Sequence, residues 1–166
     1  MTAHDLDLRH YSIIKIDKLV KHYDSGKYGP PGKPIGFWVS VEGNGDGWRD
    51  WCTEQHVFTD QLAYEHKITL APDANILVLS SPAELLKLTD DYWHESEINF
   101  GSHVMSLDWP RLAESYQGII ITPYIWSQRL EPRTFWYYGW DCASGCIWDL
   151  DAIANVELMG AVEAQP

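Results

Sequence analysis

Three tryptophans surround the most glycine-rich stretch of the chain. IGFWVS (35–40) carries Trp38 into EGNGDG (42–47), and Trp48 and Trp51 follow at once. An indole joins a large apolar face to one N–H donor, so such a group suits a ligand pocket as well as a core. Trp48 and Trp51, at i and i+3 of a helix over GWRDWCTEQ (47–55), lie on one face, an arrangement that core packing also demands. Either the three rings are core, or the loop and its aromatics wall a pocket.

Recognisable catalytic motifs do not compete with this reading. GNGDG lacks both the Lys-Ser/Thr of a P-loop and GxGxxG spacing, and there is no HExxH, CxxC or GxSxG. The seven histidines are scattered, which assigns no metal site. Cys52, Cys142 and Cys146 are an odd set and read as buried thiols, consistent with a cytosolic protein. The start, MTAHDLDLRHYSII, has early acids and no apolar leader, and runs such as ILVL (76–79) are too short to span a bilayer.

Nine Trp and nine Tyr stand against four Phe in 166 residues, a length that fits one domain with a sizeable core. The domain is expected over 1–155, with 156–166 frayed. Twelve basic and twenty-four acidic side chains leave a net charge of −12, which repels phosphate backbones and anionic membranes.

The elements that position these residues follow from periodicity. LRHYSII (8–14) reads as a strand and KIDKLVKHY (15–23) as a short helix with Ile16, Leu19 and Val20 on one face. SGKYGPPGKP (25–34) is a loop, IGFWVS a strand, and Asp46 a cap for the helix over 47–55. Strands are expected over LAYEHKITL (62–70) and NILVLSS (75–81), joined by the turn APDA. Ser81, Pro82 and Glu84 form a capping box that starts a helix running to about Trp93. Asp108 caps a further helix, and QGIIITPY (117–124) is a buried strand. FWYYGW (135–140) and GCIWDL (145–150) complete the strands. The irregular order indicates an α+β fold with a mixed or antiparallel sheet.

RHYS (9–12) followed by GFWVS (36–40) resembles the ADP-ribosyltransferase superfamily, with Trp38 at the place of the usual tyrosine. The family's first strand bears a His or Arg that holds a ribose hydroxyl of NAD, its second reads G-φ-Y-φ-S/A, and a second aromatic follows about one helix later. The resemblance implies a split β-sheet with short flanking helices and NAD as the bound nucleotide. It implies that His10, Tyr11 and Ser12 hold the ribose and that Gly36 admits the nicotinamide amide. Within GFWVS, with Phe37 and Trp38, the indole and Trp48 or Trp51 would clamp the ring, and Ser40 would bind the sugar. Lys27 or Lys33 would lie near the diphosphate. The family's late-strand Glu has no match in FWYYGWDCASGCIWDL; Asp141 is the candidate acid, with Glu131 and Asp149 as alternatives.

Such a site fits the chemistry. Cleaving the nicotinamide–ribose bond builds an oxocarbenium ion, which a carboxylate stabilises. Indole faces orient the cationic ring with a cation–π contribution of about 1 kcal/mol. The implied function is mono-ADP-ribosyl transfer to a macromolecule, a protein before a nucleic-acid base, as in the family's toxins and phage-related effectors. NAD glycohydrolysis and a non-enzymatic Trp-rich binding module are the rival readings.

Overall fold

The computed structural model describes residues 1–27, 29, 32–98 and 102–161. Seven strands form a mixed sheet: β1 (Asp7–Ser12), β2 (Phe37–Glu42), β3 (Tyr64–Leu70), β4 (Ile76–Leu79), β7 (Gly118–Ile121), β8 (Ser144–Ile147) and β9 (Ile153–Ala161). Their order is β4-β7-β8-β2-β1-β3-β9, with β4 parallel to β7 and every other pair antiparallel. A separate hairpin joins β5 (Trp93–Ile98) to β6 (Ser102–Leu107). The α-helices are short: α1 (Trp48–Gln55), α2 (Pro82–Tyr92) and α3 (Trp109–Ala113). The architecture is therefore α+β, as the element order indicates.

Alternation along the strands feeds two cores. Ile119, Ile121 and Cys146 pack with Leu85, Trp109, Tyr137 and Trp140 on one face. Ile120 and Ile147 turn to the other, with Leu8, Val39, Val41 and Ile68. GIII (118–121) is buried at all four positions, which suits a strand covered on both sides.

Local signals hold where their chemistry is local. Ser81 Oγ accepts from Glu84 N, Pro82 opens α2, and Asp108 accepts from Arg111 N to start α3. The reciprocal bond of the capping box lands one residue early, where Glu84 Oε2 accepts from Ser80 N at 2.8 Å. Helix α1 forms as expected, but Asp46 does not cap it. Its carboxylate instead accepts from Tyr124 N at 2.7 Å, and Gly47 occupies the cap position.

Three expectations are overturned. KIDKLVKHY (15–23) is not helical; Val20 is 80% exposed, and Ile16 N donates to His66 Nε2 instead of to a helical carbonyl. A short amphipathic stretch without a surface to cover its apolar face does not nucleate. FWYYGW (135–140) falls in a 3₁₀ helix, Pro132–Gly139, and its end. Trp136, Tyr137 and Trp140 are buried while Phe135 and Tyr138 are exposed, a pattern that strand alternation cannot produce. The tail expected to fray after Asn155 continues β9 to Ala161, paired along β3; residues 162–166 lie outside the described residues.

The joint between β1 and β2 is the least complete ladder at the centre of the sheet. These strands pair over three positions, Asp7–Arg9 against Glu42–Ser40, whereas β1 pairs with β3 over five and β2 with β8 over four. Past Arg9 and Ser40 the ladder stops, and His10 Nδ1 bonds Trp38 O at 2.7 Å across the opening.

Candidate functional site

A cavity of about 320 Å³ lies at this opening. Arg9, His10 and Tyr11 come to it from β1, Trp38 and Ser40 from β2, and Trp48 from the first turn of α1. Lys33 enters from the preceding loop, and Trp140, Asp141 and Cys142 from the segment before β8.

His10 stacks on Phe37, with ring centroids 4.4 Å apart and planes 23° apart. Because Trp38 O can only accept, Nδ1 carries the proton, and the neutral ring keeps its lone pair on Nε2. Burial lowers the imidazole's pKa, outweighing the bond to Trp38 O. His10 is thus a neutral acceptor at pH 7 whose Nε2 makes no bond among the described residues.

Trp38 and Trp48 are two of the cavity's walls. Trp38 meets Trp140 edge-on at 4.9 Å and carries the Lys33 ammonium 5.1 Å from its ring centroid. Trp48 is backed by Trp51 at 5.1 Å and by Phe58 at 5.9 Å, all nearly parallel. Of the two tryptophans offered for the second aromatic, Trp48 borders the cavity; Trp51 lies behind it, against the cluster of Tyr11, Cys52 and Leu62.

Asp141 borders the cavity and pairs with Arg129 at 3.3 Å, its side chain 27% exposed. The alternative acids lie elsewhere. Glu131 occupies the cap position before Pro132–Gly139, and Asp149 accepts from Asp151 N and Gln117 Nε2, bonds to Gln117 and Asp151 that hold its carboxyl below the ordinary range.

Several expected contacts are diverted into the fold. The space beside Gly36 is filled by Cys146 Sγ and Ile147 O, each 2.7 Å from where a Cβ would sit, so this glycine admits β8 instead of a ligand. Phe37 packs on the face opposite Trp38, under His10. Ser12 Oγ donates to Ile14 O outside the cavity. Ser40 Oγ donates to Glu42 Oε1 and accepts from Trp48 N, both at 2.7 Å, which ties β2 to α1. Tyr11 OH donates to the same Glu42 oxygen. Lys27 pairs with Asp24 away from the cavity, whereas Lys33 is inside it.

Arg9, the first residue of RHYS, and Trp140 also border the cavity, although neither is among the residues the resemblance assigns to the site. Arg9 alternates with His10 onto the face of Tyr11, so strand period alone marks it. Nothing local marks Trp140, which arrives through a 3₁₀ turn. The thiols Cys52 and Cys142 are buried, with their pKa values pushed up to about 11 and about 12 by burial, and are protonated at neutral pH.

Among the described residues no three His, Cys, Asp or Glu side chains gather to hold a metal ion, and no helix is long and apolar enough to cross a membrane. No family model matches the chain, and comparison with curated proteins and with solved structures gives no match.

Proposed function

We propose that the chain is a mono-ADP-ribosyltransferase that uses NAD and modifies a macromolecular acceptor, a protein side chain in preference to a nucleic-acid base. One observation carries this reading: His10, Tyr11, Trp38, Ser40, Trp48 and Asp141, remote in sequence, border one cavity where β1 and β2 part. The donor set suits a dinucleotide, with indole walls for a flat ring, a neutral imidazole nitrogen for a hydroxyl, cations at Arg9 and Lys33, and one acid.

In this reading Trp38 and Trp48 orient the nicotinamide, His10 Nε2 accepts from a ribose hydroxyl, and Lys33 faces the diphosphate. Asp141 stabilises positive charge developing on the sugar as the nicotinamide bond breaks. The −12 charge favours a protein acceptor, since a nucleic-acid backbone would be repelled.

Labelled NAD incubated with purified protein and a cell lysate tests the proposal. Label in the protein fraction with release of free nicotinamide is expected. Free ADP-ribose without labelled macromolecule would instead identify a glycohydrolase, and neither nicotinamide release nor a thermal shift with NAD would refute the enzyme reading.

A further inference from the structure

Lys33 is set apart from the other lysines by its surroundings. Lys15, Lys27 and Lys87 each pair with an aspartate, and Lys67 is exposed. Lys33 runs its stem across Gly139, where Cε lies 2.9 Å from the position a Cβ would take, and brings Nζ over Trp38 inside the cavity. Its ammonium makes no hydrogen bond or ion pair among the described residues. A lysine is normally held charged by water or by a carboxylate, and this one is half-buried with no carboxylate in contact among the described residues.

We infer that Lys33 is a nucleophilic amine, and that the cavity takes a flat aromatic aldehyde whose carbonyl carbon condenses with Lys33 Nζ. The aldehyde's ring would lie among Trp38, Trp48 and Trp140, where stacking is available. The Nζ lone pair adds to the carbonyl carbon, and the C=O electron pair moves to oxygen. One proton passes from nitrogen to that oxygen, with Asp141 as the relay in the same cavity. The nitrogen lone pair then forms C=N as the hydroxyl departs, and the nitrogen's remaining proton passes to that hydroxyl to make water; amine and aldehyde become a Schiff base and one water. Burial lowers the amine's pKa more than Asp141, Cys142 and Cys146 raise it. Arg9, His10 and Tyr11 are the other titratable groups of the cavity; Arg9 is engaged by Asp7, and His10 is neutral. A larger fraction of Lys33 than of an ordinary lysine is therefore unprotonated at neutral pH.

The test is differential labelling of the intact protein with pyridoxal at pH 7, trapping with borohydride, and peptide mapping of each lysine. Lys33 should be labelled about tenfold or more faster than Lys67, and the gap should narrow as pH rises toward the ordinary lysine range. With acetaldehyde, which has no ring to stack, the preference should shrink. Equal rates at Lys33 and Lys67, or an equal preference with acetaldehyde, would overturn the inference. Labelling of Lys33 that excess NAD does not slow would support the amine while counting against the NAD reading.

Discussion

At the scale of single residues, the site separates groups that face the cavity from groups spent on holding it. Asp141 belongs to the first kind. Asp141→Asn keeps the shape and removes the charge, so nicotinamide release should fall about 100-fold or more while the NAD-induced thermal shift persists. Unchanged turnover in that variant would remove Asp141 from the mechanism. Ser40 belongs to the second kind, its hydroxyl committed to Glu42 and to Trp48 N. Ser40→Ala leaves the first turn of α1 without that acceptor and should cost about 1–2 kcal/mol in urea unfolding. Since Trp48 is positioned by that bond, the KM for NAD should rise as well.

At the scale of elements, the site exists because two adjacent strands stop pairing. β2 divides its register, Phe37–Ser40 lying opposite β8 and Ser40–Glu42 opposite β1, while Val41 N still donates to Ala143 O just before β8. His10 bridges the resulting opening through its side chain where a backbone ladder would otherwise close it. Gly36, just before β2, is the close contact that lets the strand lie against β8. Gly36→Ala would drive a Cβ into Cys146 Sγ and Ile147 O and should destabilise the fold by about 1–3 kcal/mol, the usual cost of overpacking. Chemical denaturation reads this directly, and a neutral result would show that β8 can yield. The 3₁₀ helix Pro132–Gly139 acts similarly on the other wall. It buries Trp136 and Tyr137 and delivers Trp140 and Asp141 to the cavity, which an extended strand over the same residues would not do.

At the scale of the whole molecule, a chain of net charge −12 carries a cavity with two basic side chains, Arg9 and Lys33, beside Asp141. An anionic ligand is thus attracted locally and repelled at long range, so raising ionic strength should increase the association rate for NAD, measured by stopped flow. A decrease would show that the cavity's cations dominate the approach. Stability should also carry the mark of His10. Its pKa is lowered in the fold from the ordinary 6.5, so its contribution is full above that value and is lost as pH falls toward the lowered one. The urea midpoint should decline below about pH 6.5, and His10→Gln should flatten that decline. An unchanged slope in the variant would assign the effect to other groups.

The sequence by itself determined what depends on neighbours in the chain. The caps at Ser81 and Asp108, the buried strand at GIII, the helix carrying Trp48, and the alternation of Arg9, His10 and Tyr11 all rest on backbone period and short-range hydrogen bonding. It also brought forward Trp38 and Asp141, by residue type and order. Tertiary structure decided the rest, because partners remote in sequence compete for the same groups. Trp48 N takes Ser40, Tyr124 N takes Asp46, and Ile16 N takes His66. The aromatic run 135–140 obeys the core it must fill rather than its strand propensity. Whether Trp48 or Trp51 borders the cavity, and whether Asp141, Glu131 or Asp149 does, was decided only by where the sheet opens between β1 and β2.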